Sequence, residues 1–147
     1  MDARTAYRRA DASGRCHPVH LVVLLYEQAV QDLQRAMVAM REGDIERRTK
    51  ELDHALLVIG QLQATLDLVR GGEVARNLDR FYGVVSASLM EAQVKGSSTI
   101  LERQIGNLLS LREAWLELEK THTSEEAPTI LDATADAAGT ARADWSA

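Results

Sequence analysis

The sequence predicts an all-α fold, an antiparallel up-down-up-down four-helix bundle, and three observations carry that expectation. Apolar residues recur at three- and four-residue steps along four long stretches. Leu, Ala, Glu, Gln and Arg dominate the chain, whereas aromatics make up 4% and proline occurs twice, a balance that favours helix over sandwich. The links at Gly43-Asp44, Gly71-Gly72 and Gly96-Ser97 are short, and short links make successive helices antiparallel neighbours.

The first helix starts at Pro18, whose missing N–H suits a first helical position. Val22, Leu25, Ala29, Leu33, Ala36 and Met40 form its inner stripe, Gly43 stops it, and Asp44 caps the next helix. The second helix buries Ile45, Leu52, Leu56, Ile59, Leu62, Leu66 and Val69 and runs to Gly71-Gly72. The third carries Val74, Leu78, Phe81, Tyr82, Val85, Leu89 and Ala92 inward and stops at Gly96. Thr99-Ile-Leu-Glu102 reads as a capping box for the fourth, which buries Leu101, Ile105, Leu108, Arg112 and Trp115 and reaches His122.

Domain organisation follows from these bounds. Residues 1–17 form a polar N-terminal segment with Tyr7 as its large apolar side chain, and residues 18–122 form the bundle. Residues 123–147 are acidic and rich in Ala and Thr, a composition that builds no core of its own and is expected to be a mobile tail or a segment that docks on something.

Charge and motifs exclude several functions. The net charge is −5 and the arginines gather on no single face, so a nucleic-acid partner is not expected. The lone Cys16 makes no internal disulfide, the first residues lack a signal-peptide core, and Leu21–Tyr26 is too short to span a bilayer. A reduced, cytosolic protein with no membrane insertion is the reading. No phosphate loop, Gly-x-Ser-x-Gly or Cys-x-x-Cys occurs. Glu51 with His54, Glu119 with His122, and Glu27 and Glu91 match the ligand count of a di-iron bundle. Their depths disagree, because the two histidines would lie roughly 20 Å apart along the bundle, while a dinuclear site needs its ions about 4 Å apart. No metal, cofactor or catalytic residue is expected, and the chain is read as a non-enzyme.

The second helix has an apolar stripe to spare. Leu57, Ala64 and Leu68 lie opposite its core stripe, and Val84 on the third helix also falls outside the core. A contiguous outward stripe marks a protein-binding face that an amphipathic partner helix can fill.

Specific residues carry a family resemblance. Ala6-Tyr7, then Pro18 with Leu21, Leu25-Tyr26 and Ala29, then Gly43-Asp44, resemble the start of the flagellar export chaperone FliS family. Gly71-Gly72-Glu73-Val74-Ala75-Arg76-Asn77-Leu78 with Phe81-Tyr82 is similar to its central signature, and Leu111-Arg112-Glu113-Ala114-Trp115 to its closing one. His17 stands where the family has Ser or Thr, and Gly83-Val84-Val85 where it commonly has Asp-Tyr-Met. The resemblance implies a cytosolic helical bundle that holds flagellin's C-terminal segment, prevents premature polymerisation and assists delivery to the flagellar type III export gate. It also implies that the segment around Tyr7 caps part of the flagellin-binding surface when empty. The partner-binding residues are therefore taken to be Tyr7, Leu57, Ala64, Leu68 and Val84, on a monomer or weak homodimer. The alternative is a helical-bundle adaptor for a different secreted client.

Overall fold

The computed structural model describes the backbone of residues 18–138 and the side chains of residues 19–121. Four helices and no strand occur among the described residues: α1 Pro18–Glu42, α2 Ile45–Ala64, α3 Gly72–Lys95 and α4 Ser98–Ala138. The all-α expectation holds. Tyr7 and the N-terminal segment lie outside the described residues.

Side-chain ties fix the directions. His54 and Glu51 on α2 meet Asp32 and Arg35 on α1, so later residues on one helix face earlier ones on the other. Gln63 bonds Asp79 while Arg48 and Thr49 bond Gln93, which sets α2 against α3 in the same antiparallel sense. Arg112 reaches Glu27 and Trp115 reaches Tyr26, so α4 runs against α1. The bundle is up-down-up-down.

Helix α1 is the central element, and its composition explains why. Val19, Val22, Tyr26, Ala29, Leu33 and Ala36 are at most 2% exposed, and buried Val23 and Val30 on one side and Ala39 on the other widen that stripe into an arc that serves more than one neighbour. Ala29, Ala36 and Ala39 share the side of α1 that carries Asp32 and Arg35, and Ala55 lies beside His54 on α2. Such small residues let two helix axes approach closely, with little side-chain entropy to lose.

The two tight links are built alike. Gly43 and Gly96 take positive φ values of 70° and 63°, a conformation that glycine adopts without Cβ strain. Asp44 N–H then reaches back to the Ala39 carbonyl and Ser97 N–H to that of Ala92, satisfying groups the helix ends leave open. Asp44 caps α2 as expected, its carboxylate accepting from Arg47 N–H at 3.0 Å. At α4 the cap is Ser97, whose Oγ accepts from Ile100 N–H, rather than the Thr99–Glu102 box.

Two helix ends and the burial of Ile45 differ from the sequence reading. Helix α2 stops at Ala64, because the Thr65 hydroxyl takes the Gln61 carbonyl and the Asp67 carboxylate takes Arg70 N–H. Side chains that bond nearby backbone compete with helix propagation. Leu66 still packs inside at 3% exposure, but Val69 is 89% exposed in the turn. Ile45, expected inside, is 63% exposed as the first residue of α2, at the open end of the bundle. Helix α4 continues past His122 to Ala138, and Pro128 within that continuation donates no backbone hydrogen bond.

The chain divides into two compact units, Met1–Trp115 and Leu116–Ala147. The first holds the bundle core; the second contains the continuation of α4. No described helix is long and apolar enough to cross a membrane.

Candidate partner-binding surface

The bundle is held rigid by polar ties before any partner is considered. Trp115 Nε1 donates to the Tyr26 hydroxyl at 2.8 Å, and the Tyr26 and Tyr82 hydroxyls lie 2.5 Å apart. Burial pushes the Tyr26 phenol well above its ordinary range, against the opposing effect of both hydrogen bonds. Asp32, fully buried, accepts from Arg35 at 2.6 Å and Gln28 at 2.9 Å and lies 2.5 Å from His54 Nδ1.

The carboxylates weighed as metal ligands are committed elsewhere. Glu51 accepts from Arg35 Nε at 3.0 Å, and Glu27 takes two nitrogens of Arg112 at 2.9 and 2.8 Å. Glu91 pairs with Lys95 at 2.8 Å, and that hydrogen bond lowers its carboxyl pKa. His54 is bound to Asp32, so each of these groups already has a protein partner.

Several apolar side chains remain on the outside. Leu57 is 71% exposed on α2 and Val84 is 61% exposed on α3, both in helix interiors where the core makes no use of them. Ala64, the last residue of α2, is exposed as well. Leu68 is half-exposed but lies in the Thr65–Gly71 turn, so it does not extend the α2 stripe as the sequence reading had it. The stripe on the helix itself is Leu57 and Ala64.

Two depressions among those formed by the described residues lie beside these side chains or on the neighbouring helices. One of about 740 Å³ lies along α2 and is lined by Asp53, His54, Leu56, Leu57, Gly60 and Gln61, among others. The other, about 470 Å³, runs between α3 and α4, with Val74, Leu78, Phe81 and Leu111 as apolar walls and Asn77 and Asn107 as polar points. Phe81 and Val74 were expected in the core and are instead half-buried in this groove. A helix packed from both sides needs a wider apolar arc than a single stripe.

The sequence reading noted Gly83 only as a departure from the family pattern and passed over Gly60. Gly60 on α2 and Gly83 on α3 are exposed. A Cβ at Gly60 would meet nothing within 4 Å, and one at Gly83 only the Gln63 side chain at 4.0 Å. Glycine costs a helix interior roughly 1 kcal/mol relative to alanine, and no contact within the fold requires it here. The interruption of a helical pattern by glycine was the available signal.

The family model of flagellar protein FliS matches residues 1–122. The chain is 33% identical over 118 residues to flagellar secretion chaperone FliSB of Pseudomonas aeruginosa, an alignment covering 78% of this chain and 94% of that protein. It is 32% identical to flagellar secretion chaperone FliS of Campylobacter jejuni, covering 82% and 94% of the two chains. The corresponding chaperone of Salmonella typhimurium is 29% identical, with 74% and 82% covered.

Proposed function

Because this chain belongs to the flagellar protein FliS family, and so is a flagellar export chaperone rather than an enzyme, we propose that its client is the disordered C-terminal segment of flagellin. It holds that segment in the cytosol, prevents premature polymerisation and assists delivery to the flagellar export gate. The observation that carries this reading is the exposed Leu57 on α2, set in a depression, with Val84 exposed on the neighbouring helix. A disordered segment that folds on binding must bury much apolar area to offset its ordering entropy. Surfaces on α2 and between α3 and α4 offer that area on a bundle that need not rearrange.

The test is a titration of the purified chain with a flagellin C-terminal segment, watching for a stable 1:1 complex. Leu57→Glu with Val84→Glu should leave the melting curve near wild type, as surface changes usually do. Binding should weaken at least about tenfold, because the new charges would be buried unpaired against the client. Full-strength binding by a folded double variant would remove these residues from the interface. A wild-type chain that ignores flagellin but retains another exported protein would favour the different-client reading. Tyr7→Ala should alter affinity without unfolding the bundle, if that segment caps the empty surface.

A further inference from the structure

We infer that the part of α4 running from Ser98 to Trp115 is a detachable helix. It leaves α1, α2 and α3 as a unit, at lower cost than unfolding the bundle, and buried Gln104 is what weakens its hold. The inference goes beyond the flagellin reading and stands whether or not that reading holds.

Core anchors along α4 are sparse. Among the described residues its buried apolar side chains are Leu101, Leu108 and Trp115, each seven positions from the next, so about two helical turns separate one anchor from another. On α3, by contrast, Leu78, Tyr82, Val85, Leu89 and Ala92 are buried at steps of three or four. The backbones of α1 and α2, and of α2 and α3, approach closely, whereas α4 stands farther from its neighbours and meets them through side chains. Few buried apolar contacts are what lowers the free energy of a local opening.

Polar groups fill the gaps between the anchors. Arg112 binds Glu27 at 2.8 Å, but their side chains are 27% and 38% exposed, so water screens the pair. Gln104 is buried in the inner stripe, one turn before Leu108. Asn107 donates to its Oε1 at 3.3 Å, and its amide nitrogen meets no acceptor among the described residues. However the two amides are turned, one bond leaves most of a buried amide's capacity unmet. That shortfall exists only while α4 is seated, because water satisfies the amide once the helix leaves. The Trp115 bond to Tyr26 opposes departure, and what departure uncovers is the Tyr26 side of α1, an apolar face the closed bundle hides.

Native-state hydrogen exchange on the full chain in sub-denaturing urea tests the device. The slowest amides between Leu101 and Trp115 should be protected about a hundredfold less than those between Val22 and Ala36, with a weaker urea dependence. Val58→Ala separates local opening from global unfolding. Val58 is buried one turn beyond His54, on the side of α2 that meets α1. Its truncation should lower protection on α1 about tenfold and leave that of α4 unchanged, because the open form keeps α1 and α2 paired. Gln104→Leu should raise the protection of α4 about tenfold by removing the unmet amide. Equal protection of α1 and α4 in the wild type, or equal losses on both in Val58→Ala, would show one cooperative unit and overturn the inference. No gain on α4 in Gln104→Leu would overturn the part given to that residue.

Discussion

Tyr26 and Trp115 stand 89 positions apart in sequence and are joined by a 2.8 Å hydrogen bond from the indole to the phenol. The bond ties α4 to the central helix inside the core, where Trp115 is 2% exposed and Tyr26 fully buried. Trp115→Ala should therefore cost about 3–5 kcal/mol in denaturant melts, the loss of a buried aromatic plus the cavity it leaves. Trp115→Phe should cost less but leave the Tyr26 hydroxyl short of a donor. A loss under about 1 kcal/mol for the alanine variant would contradict this packing.

Alkaline pH should weaken the fold through the same tyrosine. Burial raises the folded-state pKa of Tyr26 above the unfolded value near ~10, so the folded chain keeps a proton that the unfolded chain releases. The stabilisation is complete below pH ~10 and is lost as pH rises through the folded-state value. Urea melts between pH 8 and 11 should show this decline, and Tyr26→Phe should flatten it. An unchanged slope in the variant would assign the decline to other groups.

Asp32 should matter more than either cation it holds. Its side chain is fully buried, whereas those of Arg35 and His54 are 42% and 51% exposed. Asp32→Ala should destabilise by about 1–3 kcal/mol by removing the acceptor on which three donors of α1 and α2 converge. Arg35→Ala should cost under about 1 kcal/mol, as half-exposed ion pairs do. Chemical melts of the two variants give the comparison, and equal losses would contradict it.

Client binding should tolerate salt. The exposed side chains at issue, Leu57 and Val84, are apolar, so calorimetry should give a large negative heat-capacity change. Affinity should fall less than about tenfold between low and moderate salt, since only rim charges are screened. A hundredfold fall would shift the interface to the charged faces.

Much of the fold was legible because its signals are local. Glycine caps at Gly43 and Gly96, the Asp44 cap, and the buried part of the α3 and α4 stripes (Leu78, Tyr82, Val85, Leu89 and Ala92; Leu101, Leu108 and Trp115) are properties of a few neighbouring residues. The end of α2 was not legible, since Leu66 keeps the apolar spacing going while Thr65 and Asp67 divert the backbone. Tyr26 was missed in the core stripe because α1 buries a broad arc rather than one line. In the candidate site, Leu57, Ala64 and Val84 were readable as surplus apolar residues. The place of Leu68 was not, because it depends on where α2 ends.

The central place of α1 has a consequence for the chain while it is being made. This helix leaves the ribosome first, yet its neighbours on α3 and α4 come much later. At ordinary synthesis speeds of about 5–20 residues per second, Tyr26 waits roughly 4–18 s for Trp115. Helix α2 closes onto α1 early through its short link, but the opposite side of α1, with Val22, Tyr26 and Leu33, stays wet until then. A chaperone for another protein's unfinished surface thus passes through a stage in which its own surface is unfinished. Nascent chains stalled after α2 should be held by ribosome-associated chaperones and released once α4 has emerged.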